Sequence, residues 1–209
     1  MKKRGIIVAS GECNLEKIEV SKDDIVIAVD GGLQHCRRMG LEPTWIIGDF
    51  DSLENHALLA DYPKEKIRKL PVEKDDTDTL AALKLGLELG IKDFEIYGAL
   101  GGRVSHTMAN IQSLVFLAKH GATGKLIDKD VEIFVVKNGT YSFTETQTGI
   151  LSVFALDEIA KGVTISGCKY EVSDVELTND FPLGVSNEFV GKAGRVRVVD
   201  GILLIVIER

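Results

Sequence analysis

Short apolar runs alternate with helical patterns through the first 123 residues of this chain. The runs are rich in isoleucine and valine, which is typical of strands buried on both faces of a sheet. They cover residues 5–10, 25–29, 45–47, 67–70 and 94–97, and the helical patterns cover residues 33–39, 54–60, 79–89 and 104–119. This alternation predicts an α/β domain over residues 1–123, built on a mostly parallel, doubly wound sheet.

The pattern changes after this point, because long helical windows stop and short β-rich runs replace them. The runs cover residues 131–136, 141–143, 150–155, 162–166, 195–199 and 202–207. Asn138-Gly139 and Asp200-Gly201 separate neighbouring runs, and both pairs favour tight hairpin turns. The second half therefore predicts an antiparallel all-β sandwich domain over residues 124–209. The boundary is expected somewhere in residues 121–129, where Gly121–Gly124 is the only flexible stretch.

The composition excludes several classes of protein. The chain has 25 basic and 32 acidic residues, a net charge of −7, which disfavours a nucleic-acid partner because phosphate binding depends on an excess of Lys and Arg. Three cysteines without a C-x-x-C pair form neither a disulfide framework nor a zinc site, and favour a reducing, cytoplasmic location. No apolar run approaches the ~18 residues of a membrane span, so no membrane partner is expected.

Aspartates follow three of the predicted strands, at the point where each strand ends. They are Asp30 after the second run, Asp49 and Asp51 after the third, and Asp75, Asp76 and Asp78 after the fourth. These positions share the carboxyl edge of a doubly wound sheet, where ligands bind. Clustered carboxylates repel one another unless a cation neutralises them, and Mg²⁺ prefers hard oxygen ligands. Each aspartate alone could instead cap a helix or form a turn.

A glycine-rich turn follows the fifth run and leads into a helix. Backbone N–H groups at such a turn, together with the positive end of the helix dipole, favour phosphate. Arg103 adds a planar donor that can bind two phosphate oxygens, although a tight turn with an exposed arginine has the same sequence. The chain has neither a Walker A loop nor a dinucleotide-binding glycine fingerprint.

Together these segments resemble the thiamine pyrophosphokinase family, and the match is ordered along nearly the whole chain. The matching segments are Asp30-Gly31-Gly32, Gly48-Asp49-Phe50-Asp51-Ser52, Lys74-Asp75-Asp76-Thr77-Asp78, Gly101-Gly102-Arg103-Val104-Ser105-His106 with Asn110, Gly167-Cys168-Lys169-Tyr170 and Gly184-Val185-Ser186-Asn187-Glu188-Phe189. The resemblance implies a homodimer with shared active sites, in which ATP donates a pyrophosphoryl group to thiamine and leaves AMP. It also implies that the second domain binds thiamine and forms the dimer.

The resemblance also implies roles for individual residues of this chain. The catalytic residues would be Asp49, Asp51, Asp78 and Arg103, and the Mg²⁺ ligands would be Asp49, Asp51, Asp75 and Asp78. ATP and its phosphates would contact Asp30, Gly31, Gly101, Gly102, Arg103 and His106. Thiamine would contact Tyr170, Ser186 and Asn187. Tyr170 could equally pack in the core of a strand.

The sequence departs from the family pattern at Ser105, where the family usually has an aspartate. Three alternatives therefore stay open. The chain could be a related Mg²⁺-dependent enzyme that transfers pyrophosphate to a pterin alcohol. It could also be a Mg²⁺-dependent diphosphate hydrolase, or a nucleotide sensor without catalytic activity.

Overall fold

The computed structural model describes residues 3–50, 56–73 and 75–209. The chain divides into two compact units, Met1–Lys129 and Asp130–Arg209, each described separately below. The division lies after Lys129 rather than after residue 123, because the chain forms a further strand, Thr123–Ile127, that pairs in parallel with the fifth strand of the first unit. No helix within the described residues has both the length and the apolar character that a membrane span requires.

The described residues of the first unit form six parallel strands of one sheet, which confirms the predicted α/β class. The strands are β1 (Gly5–Val8), β2 (Ile25–Val29), β3 (Trp45–Gly48), β4 (Ile67–Lys69), β5 (Asp93–Tyr97) and β6 (Thr123–Ile127). The helices are α1 (Gly32–Arg38), α2 (Asp78–Glu88) and α3 (Val104–Lys119), with short 3₁₀ helices at His56–Asp61 and Lys64–Lys66. The 3₁₀ helix His56–Asp61 lies where a longer helix over residues 54–60 was expected, and residues 54 and 55 lie outside the described part.

The strand order of the first unit places a crevice beside β1. The order is β6-β5-β1-β2-β3-β4, so the chain moves outward from β1 in one direction and then returns to its other side with β5. The loops that follow β1 and β5 run together at this switch point, where the Gly11 N–H donates to the Gly98 carbonyl oxygen at 2.8 Å. A Cβ on Gly11 would lie 2.6 Å from that oxygen, so only glycine permits the close approach. In open α/β sheets, ligands bind at such a crevice.

The second unit is a sandwich of two antiparallel sheets, as predicted. Its strands are β7 (Val131–Lys137), β8 (Thr140–Phe143), β9 (Ile150–Ala155), β10 (Ile159–Ser166), β11 (Val172–Thr178), β12 (Gly184–Glu188), β13 (Gly194–Arg197) and β14 (Ile202–Glu208). One sheet contains β12-β9-β14-β7 and the other β11-β10-β13-β8. Buried side chains of both sheets form one apolar cluster. Sequence patterning missed β11 and β12, because both are polar strands at the edge of a sheet.

The two predicted hairpin turns connect strands of different sheets instead of forming hairpins. Asn138-Gly139 links β7 to β8, and Asp200-Gly201 links β13 to β14, yet β7 pairs with β14 and β8 pairs with β13. The two corners also bond to each other, because Gly201 N–H donates to Asn138 Oδ1 at 2.8 Å and Asn138 N–H donates to the Gly201 carbonyl at 3.1 Å. The local turn signal was correct, but sheet pairing decided what the turns connect.

Two ion pairs of Arg4 connect the starts of β1 and β2 with β5. Arg4, before β1, contacts Asp24 Oδ2 and Glu95 Oε1, each at 2.7 Å. Asp24 also accepts hydrogen bonds from the backbone N–H groups of Ser21 and Arg4. Burial alone would raise the pKa of Asp24, but the hydrogen bonds from Arg4 and from these N–H groups outweigh it and lower the pKa below its ordinary value.

We expect Asp24→Asn to lower the free energy of unfolding at pH 7 by about 1–3 kcal/mol. The neutral amide would bind the Arg4 guanidinium and the backbone N–H groups less strongly than the buried carboxylate does. Since the folded-state pKa of Asp24 is the lower one, this stabilisation is present above the unfolded-state pKa and is lost as the pH falls through the folded-state pKa. Urea unfolding of both proteins should therefore show a difference that shrinks below about pH 4. A difference that is independent of pH would contradict the ionised carboxylate as its source.

Candidate active site

Three aspartates converge at the carboxyl edge of the parallel sheet. Asp30 follows β2, Asp49 follows β3 and Asp78 begins α2, and one carboxylate oxygen of each lies within 4.8 Å of the others. Asp30 is buried, and the other two are half-buried. Three hard oxygen ligands at this spacing fit Mg²⁺, which takes a few carboxylates and completes its octahedron with water or phosphate oxygens.

The backbone around Asp30 and Asp49 explains how the two carboxylates meet. Asp30 and Phe50 both have left-handed backbone angles, with φ of 46° and 67°, and such angles are rare for residues other than glycine. The Phe50 N–H donates to Asp30 Oδ1 at 3.0 Å, and the Phe50 side chain is buried in the core. A Cβ on Gly48 would overlap Asp30 Oδ1, so a glycine is required there. The Asp30 carboxylate thus braces the loop that carries Asp49.

Asp78 does not cap its own helix. Thr77 is the N-cap of α2, because its side-chain oxygen accepts a hydrogen bond from Leu80 N–H at 3.2 Å. The Asp78 side chain instead lines a cavity of about 290 Å³ together with Asp30 and Asp49. The helix-cap interpretation is therefore wrong for Asp78. Ser52, which ends the matching segment that contains Asp49, lies outside the described residues.

Two adjoining cavities lie at this edge of the sheet and share five lining residues. The shared residues are Ser10, Thr79, Arg103, His106 and Asn110. The first cavity holds the three aspartates, and the second, of about 230 Å³, is lined by the loops that follow β1 and β5. Its walls include Gly101 and Gly102, so the glycine-rich turn and the carboxylates face neighbouring spaces. Sequence reasoning did not single out Ser10 or Thr79, whose types carry no signal by themselves.

The glycine-rich turn is held in place by a buried amide. Gly101 and Gly102 have φ of 78° and 62°, which favours glycine at both positions. Asn110, on α3 and buried, donates from Nδ2 to the Ala99 carbonyl at 2.8 Å and so ties the helix to the turn. Arg103 directly precedes α3 and is exposed. The sequence predicted no role for Asn110, although it lies one helical turn after His106 on the same face.

The other sequence-predicted residues of the first unit lie in several places. Asp75 is not in the carboxylate cluster and lines a separate cavity of about 190 Å³ with Gln112 and Phe116 of α3. Asp76 lines the main cavity, and both of its carboxylate oxygens accept from Lys84 Nζ, at 2.8 and 2.6 Å. Gly31 is the N-cap of α1, Ser105 is exposed on the first turn of α3, and Asp51 and Lys74 lie outside the described residues.

The second unit has a cavity of its own beside Tyr170. It measures about 250 Å³ and is lined by Tyr170, Asn187 and mainly aliphatic side chains of β10, β11 and β12. Tyr170 has an exposed fraction of 61%, so the interpretation of Tyr170 as a core residue is wrong. Ser186 is exposed, has a left-handed φ of 59°, and donates its N–H to Ser152 Oγ at 3.2 Å.

Comparison with known proteins yields two family models that match successive parts of the chain. The model described as "Thiamin pyrophosphokinase, catalytic domain" matches residues 17–125. The model described as "Thiamin pyrophosphokinase, vitamin B1 binding domain" matches residues 140–203.

Individual relatives agree with these models. The chain is 30% identical over 205 residues to the thiamine pyrophosphokinase of Bacillus subtilis (strain 168), with 96% of each protein covered. It is 26% identical over 177 residues to thiamin pyrophosphokinase 1 of Caenorhabditis elegans, covering 78% of this chain and 70% of the relative. The crystal structure of the Bacillus subtilis thiamine pyrophosphokinase matches with a TM-score of 0.86 and 28% identity, and covers 99% of both chains.

Proposed function

The chain belongs to the thiamine pyrophosphokinase family, and on that premise we propose that it transfers a pyrophosphoryl group from ATP to the hydroxyethyl group of thiamine, dependent on Mg²⁺, giving thiamine diphosphate and AMP. The observation that carries the proposal is the meeting of three carboxylates beside a glycine-rich turn that ends in an arginine. Attack of an alcohol on a phosphorus of ATP requires alignment and charge neutralisation more than covalent help from the protein.

Asp30, Asp49 and Asp78 are the described residues that would hold the cation. Asp30 replaces Asp75 in the proposed ligand set, because Asp75 lies outside the cluster of carboxylates. Asp51 keeps its proposed role from the sequence resemblance alone. Bound there, Mg²⁺ would neutralise phosphate charge and help to align ATP.

The turn at Gly101 and Gly102 would bind the phosphates of ATP. Its exposed N–H groups and the start of α3 favour negative charge, and the Arg103 guanidinium can donate to two phosphate oxygens. His106 lies on the first turns of α3 and lines both cavities, within reach of the same ligand. We assign Gly31 to this set only from the resemblance.

Tyr170 and its cavity would bind thiamine, which is a cation with two aromatic rings. An exposed tyrosine ring beside an apolar cavity suits a flat cationic ligand.

The second unit also exposes Phe181 and Leu183, with exposed fractions of 64% and 55%. Together with the family resemblance, these apolar side chains support a homodimer, which sedimentation can test. That its active sites are shared follows from the resemblance alone. Cysteines that are all free in the described residues support a cytoplasmic location.

Product analysis with ATP, Mg²⁺ and candidate acceptors tests this function. AMP that forms only with thiamine is the expected result. AMP that forms only with a pterin alcohol would identify the related pyrophosphokinase, and phosphate released without an acceptor would identify a hydrolase. No product with any acceptor would identify a non-catalytic nucleotide sensor.

We expect Ser105→Ala to change turnover by no more than about tenfold, or ~1.4 kcal/mol. A loose transition state gains little from early deprotonation of the attacking alcohol, so a carboxylate at position 105 is dispensable. Steady-state kinetics with thiamine measure the effect, and Ser105→Asp should raise activity if thiamine is the natural acceptor. Acceptor-dependent AMP release that begins only after Ser105→Asp would show that the wild-type chain is a degenerate enzyme.

A further inference from the structure

The Asn187 side chain is buried and almost fully occupied by backbone partners. Its exposed fraction is 5%. Oδ1 accepts from the N–H groups of Tyr170 and Glu188, both at 2.9 Å, and Nδ2 donates to the Tyr170 carbonyl oxygen at 2.6 Å. An amide oxygen has two lone pairs, so both acceptor positions of Asn187 are in use and one N–H remains. Asn187 therefore has no acceptor position left for a ligand, although it lines the cavity and keeps one N–H.

The orientation of the Asn187 amide follows from its partners. The two bonds to Tyr170 are reciprocal, because the backbone of this residue offers its N–H and its carbonyl oxygen to the same side chain. Exchanging the amide oxygen and nitrogen would place donor against donor and acceptor against acceptor. The two bonds therefore hold the peptide units on either side of the Tyr170 Cα, 17 residues away in the chain, in a defined place.

The Asn187 side chain provides the hydrogen bonds that a neighbouring strand would otherwise provide to Tyr170, at the point where the segment around Tyr170 stops pairing with the backbone after β12. Cys168 bridges to Phe189, and Lys169 N–H donates to the Glu188 carbonyl at 2.9 Å, so the segment before Tyr170 runs antiparallel beside the end of β12. At Tyr170 this backbone pairing ends, and the Asn187 amide takes over both hydrogen bonds. The two hydrogen bonds of the Asn187 amide, called the clamp below, thus hold the backbone of the residue whose ring lines the cavity.

The Tyr170 ring has few neighbours that could hold it without this clamp. It is mostly exposed, and the Lys169 ammonium, paired with Glu188 Oε1 at 2.8 Å, lies 5.5 Å from its centroid. A mobile aromatic side chain loses conformational freedom when a ligand binds, and this loss reduces affinity. Fixing the Tyr170 backbone in advance removes the backbone part of that cost, because the ring then moves only about its own side-chain bonds.

We propose that Asn187 is a positioning residue that clamps the Tyr170 backbone on both sides of its Cα and so fixes the point from which the Tyr170 ring lines the acceptor site, without touching the acceptor. The proposal rests on the proposed function, because it takes thiamine as the acceptor. It differs from the role that the sequence resemblance implies, in which Asn187 contacts thiamine.

A double-mutant cycle tests the proposal through the KM for thiamine. Asn187→Ala and Tyr170→Ala should each raise this KM by about three- to tenfold with little change in kcat. In the Tyr170→Ala background, Asn187→Ala should add less than about twofold, because the clamp acts only through the ring. Effects that multiply would overturn the proposal, since they would show an independent contact between Asn187 and thiamine.

Two further variants separate the clamp from a general loss of stability. Asn187→Asp keeps the size and the acceptor atoms but loses the donor to the Tyr170 carbonyl, and it should raise the KM in the same direction. Asn138→Ala is the matched control, because it also removes an amide that supports a turn of the second unit. It should leave the KM for thiamine unchanged, and a KM raised equally by Asn138→Ala would overturn the proposal.

Hydrogen exchange at the Tyr170 N–H tests the clamp without any turnover. The amide should be protected in the wild type, exposed to exchange in Asn187→Ala, and still protected in Asn138→Ala. Unchanged protection in Asn187→Ala would overturn the clamp. If the exchange result holds but the wild type forms no AMP with thiamine, the proposed function is wrong and the clamp itself is not.

Discussion

Replacing Asp49 by asparagine should reduce turnover by about a thousandfold, the size of loss seen when an electrostatic contact to a reacting phosphoryl or acyl centre is removed. An amide oxygen carries no charge, so two carboxylates would remain in the proposed cation site, which has three in the wild type. Asp78→Asn should act in the same direction. Steady-state kinetics over a range of Mg²⁺ concentrations measure the loss.

The same variant should fold normally and be at least as stable as the wild type without metal. Asp30, Asp49 and Asp78 have carboxylate oxygens within 4.8 Å of one another, and removing one charge relieves their repulsion. Thermal unfolding with EDTA and with Mg²⁺ should therefore show a smaller stabilisation by Mg²⁺ in Asp49→Asn than in the wild type.

The matched control for Asp49→Asn is Asp61→Asn, which also removes a carboxylate, but from an exposed pair with Arg37. It should leave turnover unchanged. Asp75→Asn provides a second comparison, because Asp75 lines a different cavity, and its effect should be smaller than that of Asp49→Asn. Activity like that of the wild type in both Asp49→Asn and Asp78→Asn would contradict the proposed metal site.

Gly48→Ala should lower activity by about a hundredfold or more and destabilise the fold by about 1–3 kcal/mol, the usual cost of forcing extra atoms into a packed site. The added Cβ would overlap Asp30 Oδ1, and the carboxylate would have to move. That movement would break the bond to Phe50 N–H that braces the loop of Asp49. Kinetics and urea unfolding measure the two effects together.

Gly139→Ala is the control for this substitution, because the nearest atom to its added Cβ is the Lys137 carbonyl oxygen, at an ordinary 3.4 Å. It should leave activity unchanged and alter stability by less than about 1 kcal/mol. Full activity in Gly48→Ala would show that Asp30 is not held against Gly48 in solution.

The sequence by itself determined the fold class and the edge of the sheet at which the site lies. Runs of isoleucine and valine identify buried strands, and the residues directly after them must lie at the carboxyl edge of a parallel sheet. The sequence alone therefore predicts that Asp30, Asp49 and Asp78 share one edge, with the glycine-rich turn and Arg103 beside them.

Tertiary structure alone decided which of these side chains meet. Asp30 joins the cluster and Asp75 does not, because the direction of a carboxylate depends on the backbone angles of a turn and on distant partners such as Phe50 N–H. The pairing of Asn187 with Tyr170 likewise joins residues that are 17 positions apart. Strand periodicity describes position along the chain, whereas side-chain direction at a strand end is set by contacts between segments that only the folded chain brings together.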